Sequence, residues 1–138
     1  MFKTVLFPVD QSREAREAAD AVLNIVKTYN ARLIILSVVE KAPEGEEGAV
    51  VDPTMSSPET VAELLKSAQT HYQYNGIKDQ TIEREGKPAF TICDVADEVS
   101  ADLIVMGCRG MGLTDEGSAD SVTSRVINLS PCPILIVP

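Results

Sequence analysis

Tryptophan is absent from this 138-residue chain, and all aromatic residues together make up only 4% of it. The core must therefore be aliphatic, and a hydrophobic content of 44%, mostly Val, Ile, Leu and Ala, supplies it. Basic residues are scarce too: 12 Lys and Arg stand against 21 Asp and Glu, a formal charge of −9. A nucleic-acid backbone needs a basic face, so this balance argues against nucleic acid as a direct partner. The single histidine, His71, rules out a His-based metal cluster or a Ser-His-Asp triad within one chain, and is expected on a helix surface. Three cysteines (Cys93, Cys108, Cys132) are odd in number and form no CxxC, which points to a reducing, cytoplasmic setting. Cys93 and Cys132 read as near-core packing, and Cys108 as a small loop residue. No apolar run approaches the roughly 20 residues that span a bilayer, so no membrane partner is expected. Met1-Phe2-Lys3 leads straight into a strand-like run rather than a signal peptide. The length suits one domain, residues 1–138.

What is present is an alternation of apolar runs and 3.6-period stretches. Thr4 to Val9 reads as a buried strand ending at Asp10. Ala15, Ala18, Ala19, Val22, Leu23 and Val26 then mark one helix face, with Ser12 at the N-cap and Glu14 in the first turn. Arg32 to Val39 is a second strand, continuously apolar as in a parallel sheet covered on both faces. Residues 41–57 break the pattern with Pro, Gly and four acidic side chains, and are expected to be irregular and mobile. Ser57-Pro58 starts the next helix, whose buried stripe is Val61, Leu64, Leu65, Ala68 and Tyr72; Asn75-Gly76 ends it. Thr81 to Glu85 predicts a less buried strand, and Pro88 opens a helix burying Ile92, Val95, Ala96 and Val99. Ala101 to Gly107 predicts the fourth strand. Asp120 or Ser121 begins the last helix, with Val122 and Val126 inward, and Ile134 to Val137 is the terminal strand. Five strands and four helices in alternation predict an α/β fold, a single open parallel sheet with helices on both faces and right-handed crossovers.

Ligands of such sheets bind at the carboxyl ends of the strands, where the strand order reverses. Asp10, Ser37-Val38-Val39 and the glycine-rich turn Gly107 to Gly112 all fall at carboxyl ends. The stretch Val105 to Val122, VMGCRGMGLTDEGSADSV, is a strand, a glycine turn and a helix start. That is how backbone amides and a helix N-terminus are turned toward a phosphate.

These residues resemble the universal stress protein family. The resemblance rests on Pro8-Val9-Asp10, Leu36-Ser37-Val38, the block Ala101 to Gly107, the Arg109-Gly110 turn and Pro131-Cys132-Pro133 with the strand after it, and it spans essentially the whole chain. It implies a five-stranded sheet in the order 3-2-1-4-5 and a homodimer joined through the C-terminal strand. It also implies a site that in some members binds ATP, through a loop written G-x2-G-x9-G-[ST]. Gly107 and Gly110 match the first two glycines and Ser121 the hydroxyl residue, but Asp120 stands where the third glycine belongs. The register agrees from the other end, where Asp120 lies eleven residues before Pro131. Gly117-Ser118 is the alternative, at the cost of a loop shorter by three residues. The resemblance further implies that Asp10 contacts the ribose and that backbone groups at Val38 meet adenine.

Glycine lets backbone approach a phosphate, whereas Asp120 brings a carboxylate to it. At roughly 6 Å and an effective dielectric near 20, each unit of like charge costs about 3 kcal/mol, about a hundredfold in affinity. Asp115 and Glu116 add to this, against Arg109 alone. Asp120 is equally suited to accept from the amides of Val122 or Thr123, so that the loop carries its own anion. A Mg²⁺ shared between Asp120 and the phosphates would turn the repulsion into a ligand bond, and is needed only if ATP binds. The candidate nucleotide residues are thus Pro8, Val9, Asp10, Val38, Met106, Gly107, Arg109, Gly110, Asp120, Ser121 and Val122. No catalytic residue or metal site is expected. The expected function is a regulatory stress-response module with an adenine-nucleotide-type crevice and an atypical phosphate loop, acting through protein partners that the sequence does not name. The alternative is an ATP- or AMP-binding member, at most a slow ATPase.

Overall fold

The computed structural model describes residues 1–10, 13–40, 55, 57–107 and 122–138. Among them five strands alternate with four helices: β1 (Thr4–Pro8), α1 (Arg13–Tyr29), β2 (Arg32–Glu40), α2 (Pro58–Tyr74), β3 (Asp79–Gly86), α3 (Pro88–Glu98), β4 (Leu103–Gly107), α4 (Val122–Leu129) and β5 (Ile134–Val137). The strands form one sheet in the order β3-β2-β1-β4-β5, with every neighbouring pair parallel. Fold class and strand order are those the sequence and its resemblance led us to expect.

Successive side chains of a strand point to opposite faces, and here both faces are covered. Val5, Phe7, Leu33, Ile35, Leu103 and Val105 pack with Ala18, Val22 and Val26 of α1 and Leu65 and Tyr72 of α2. Leu6, Ile34, Leu36, Val38, Ile104 and Met106 pack on the other face with Ala89, Ile92, Val95 and Ala96 of α3 and Val126 of α4. Ile34, Ile35, Leu36 and Ile104 have no exposed surface, and each such side chain contributes roughly 1.5–3 kcal/mol of transfer free energy. This two-sided burial is why the three central strands read as continuous apolar runs.

Helix ends follow their local chemistry. The Ser57 hydroxyl accepts from the Thr60 amide at 3.5 Å, with Pro58 in the first turn of α2. Asn75 caps the other end, and Gly76 follows with φ +78°, a conformation side-chain-bearing residues rarely adopt. The expected caps of α1 and the first residues of the last helix, at Ser12, Asp120 and Ser121, lie outside the described residues.

Several strand boundaries differ from expectation, among them β2, which runs one residue further, to Glu40. β1 ends at Pro8 rather than Val9, although the Val9 amide still donates to the Leu36 carbonyl at 2.8 Å. β4 begins at Leu103, not Ala101, because the Ala101 amide donates back to Ala96 and the Asp102 carboxylate accepts from the amides of Lys3 (2.8 Å) and Thr4 (3.1 Å). β3 is longer, starting at Asp79, since pairing with β2 runs from Leu33↔Asp79 to Glu40↔Gly86 regardless of its polar composition. Residues 41–54 and 56 of the expected irregular segment lie outside the described residues. Met55 within it is buried against Val39 and Val61, which the polar surroundings of that stretch concealed.

Candidate functional site

The strand order reverses between β1 and β4, and their carboxyl ends open onto a crevice that communicates with solvent. Seven of the sequence-derived candidates line it together: Pro8, Val9 and Asp10 from the end of β1, Val38 from β2, Met106 and Gly107 from β4, and Val122 from α4. Residues some 100 positions apart are brought together by the β1–β4 pairing, Val5↔Leu103 and Leu6↔Ile104. Arg109, Gly110, Asp120 and Ser121, as well as Cys108, lie outside the described residues.

Buried hydrogen bonds set the crevice floor. The Ser37 hydroxyl, only 1% exposed, donates to the Val9 carbonyl at 3.1 Å and ties down the backbone that presents Asp10. Thr123, 2% exposed, donates through Oγ1 to the Gly107 carbonyl at 3.1 Å and locks the start of α4 to the end of β4. Both polar groups are therefore satisfied where desolvation would otherwise cost about 1–3 kcal/mol each.

Backbone geometry turns a polar edge of β2 toward the crevice. Leu36 faces β1, because it accepts from Val9. Alternate residues of a parallel strand turn both backbone groups to the same neighbour, so the N–H and C=O of Val38 point the same way as those of Leu36. β1 has ended by then, its last pair with β2 being Pro8↔Leu36. Val38 thus presents an adjacent donor and acceptor toward the crevice, while its side chain stays in the core at 5% exposure.

The remaining walls are apolar, with Pro88 and Ile92 from α3, Leu36 and Met55, apart from two carboxylates: Asp10 and Glu40. No Lys, Arg or His is among the described lining residues. Glu40, Met55, Pro88, Ile92 and Thr123 were not among the sequence candidates for the site. Glu40 was findable, since it follows Val38 by two on one strand face; the position of Thr123 depends on packing alone.

A second hollow, of about 300 Å³, lies on the opposite face between α1 and α2 and shares Val9, Asp10 and Ala15 with the crevice. His71, exposed as expected, stands on its rim against Tyr72 with ring centroids 5.1 Å apart. The Tyr72 hydroxyl donates to the Ala19 carbonyl at 3.2 Å. Burial, reinforced by the carboxylates of Asp20 and Asp79, pushes its pKa well above the usual phenol value. Cys93 and Cys132 pack partly buried against the core of the α3/α4 face, and burial raises both thiols. Among the described residues no group of three or more His, Cys, Asp or Glu is placed to hold a metal ion.

A model of the universal stress protein family matches residues 1–138. The chain belongs to the universal stress protein family. It is 63% identical over its full length to Universal stress protein Sll1654 of Synechocystis, covering 87% of that protein. It is 33% identical to a universal stress protein of Methanocaldococcus jannaschii, with 99% of this chain and 82% of that protein covered. Among solved structures it is similar to a universal stress protein in complex with cAMP, with a TM-score of 0.79, 28% identity, and 99% and 97% of the two chains covered. It is also similar to the family member from Lactobacillus plantarum, with a TM-score of 0.68, 27% identity and the same coverage. The sheet described above is therefore that of a universal stress protein. No helix among the described residues is long and apolar enough to cross a membrane.

Proposed function

We propose that this universal stress protein is a regulatory module whose crevice takes an adenine nucleotide of low charge, a monophosphate or cyclic monophosphate, in preference to ATP. The observation that carries this reading is the acidic character of the described lining, which holds two carboxylates, Asp10 and Glu40, and no Lys, Arg or His side chain. A triphosphate brings about three more negative charges than a cyclic monophosphate into that field, and each is repelled. In this reading Asp10 accepts from the ribose hydroxyls and the backbone of Val38 meets the adenine edge. Pro8, Val9 and Met106 enclose the ring, and Gly107, Arg109, Gly110, Ser121 and Val122 surround the phosphate. Asp120 acts as the resident anion of the loop. The solved relative that holds cAMP supports the ligand class. No residue is assigned a catalytic role, and Mg²⁺ is required only for ATP.

Calorimetric titration with AMP, cAMP and ATP, each with and without Mg²⁺, tests the reading. A monophosphate should bind at least tenfold more tightly than ATP in the absence of Mg²⁺. Micromolar ATP affinity without metal sinks the preference; silence toward all three leaves a module that works through protein contacts alone.

A homodimer through β5 belongs to the same proposal. β5 is an edge strand with Leu135 39% exposed, and α4 carries the exposed Ile127 (48%) and Leu129 (46%), apolar surface suited to a second copy. A cytoplasmic setting suits the free thiols of Cys93 and Cys132.

A further inference from the structure

We infer that Glu40 is a specificity residue of the crevice, selecting the 6-amino group of adenine against the 6-oxo group of hypoxanthine and guanine; this rests on the nucleotide reading above. Along β2 the backbone groups that face the crevice follow in the order Val38 N–H, Val38 C=O, then those of Glu40. A purine whose N1 accepts from the Val38 N–H and whose 6-amino group donates to the Val38 C=O has its 6-position on the side toward Glu40. The amino group carries a second proton, which points away from the ring nitrogen and so along the strand. Glu40 is the last residue of β2, two positions beyond Val38 and on the same strand face, and it lines the crevice with Val38, Pro88 and Ile92.

A carboxylate offers about four lone-pair sites and no donor, so it can take that second proton while keeping other contacts. A 6-oxo purine presents oxygen there instead, and two acceptors face each other. Backbone groups cannot be changed by substitution, so Glu40 is the part of this adenine filter that can be tested.

The experiment measures binding of AMP, IMP and purine riboside 5′-monophosphate, which lacks any 6-substituent, to wild type, Glu40→Gln and Glu40→Ala. Glutamine keeps the size of the side chain and adds a donor for a 6-oxo group, so folding is not at issue. The AMP-to-IMP affinity ratio should fall about tenfold in both variants, the scale of one hydrogen bond to a charged group. Affinity for the unsubstituted purine should change equally little in both. An unchanged AMP-to-IMP ratio, with AMP still bound, overturns the role of Glu40 and leaves the nucleotide reading standing. An equal loss for all three ligands makes Glu40 structural and likewise overturns it. Failure of wild type to bind any of them overturns the nucleotide reading together with this inference.

Discussion

The two ends of this sheet are built on different rules. At the amino end every connection is short, residues 30–31, 75–78, 99–102 and 130–133, and backbone groups are stitched across strands. Asp102 holds the amides of Lys3 and Thr4, the Arg32 amide donates to the Lys3 carbonyl at 2.8 Å, and the Ile104 amide donates to the Pro133 carbonyl at 3.0 Å. At the carboxyl end the chain leaves β2 through residues 41–57 and β4 through 108–121. There the described hydrogen bonds, from Ser37 and Thr123, hold the floor of a crevice rather than closing it. Cross-strand bonds gather at one end and the proposed nucleotide crevice lies at the other, where ligands meet the carboxyl ends of parallel strands.

Substitutions at the two ends should therefore separate binding from stability. The largest effect is expected at the carboxyl end. Asp120→Gly removes one like charge and should strengthen ATP binding by about a hundredfold, with little change in thermal midpoint. No change in ATP affinity would show that Asp120 is not the obstacle. Asp10→Ala should weaken AMP binding by ten- to a hundredfold, the range of a hydrogen bond to a charged group, again with stability nearly unaltered. Calorimetry and urea unfolding on the same sample give both numbers.

The amino end should behave in reverse. Asp102→Ala leaves two amides without their carboxylate and should cost about 1–3 kcal/mol in urea unfolding while nucleotide affinity stays constant. A binding loss of comparable size would erase the distinction between the ends. Tyr72→Phe removes the bond to Ala19 and should cost about 1 kcal/mol at neutral pH.

The smallest effect is a dependence on alkaline pH. Cys93 and Cys132 have their thiols raised by burial above the ordinary value of 9.0. The folded chain then holds those protons more tightly than the unfolded one. The associated stability is complete below that value and is lost as pH rises through and beyond it. Tyr72 follows the same sign at higher pH. Thermal midpoints should fall above pH 9, and Cys93→Ser with Cys132→Ser should flatten the first part of the fall. A midpoint that rises with pH in that range contradicts the burial of these groups.

Most of the fold was legible because its signals are local. Continuous apolarity in Thr4 to Val9 and Arg32 to Val39 follows from burial on both faces, and Ser57-Pro58 marked a helix start that depends only on its own turn. Boundaries were less legible where distant backbone intervenes: Asp102 reads as strand until Lys3 and Thr4 claim its side chain. Polar β3 reads short until β2 pairs with its whole length. In the crevice lining, Asp10, Val38 and Gly107 stand where their positions at strand ends put them. Thr123 was not foreseen there, because a hydroxyl in a helix carries no mark of the carbonyl it will meet sixteen residues away in sequence.

By itself, then, the amino-acid sequence determined the aliphatic parallel sheet, its helices and the acidic character of the chain, since side-chain periodicity and charge act within a few residues. Only the tertiary structure decided which carboxylates share the crevice. Asp10 follows the end of β1 and Glu40 ends β2, and the register of β1 against β2 places both at one mouth while leaving the backbone of Val38 beyond the last strand pair.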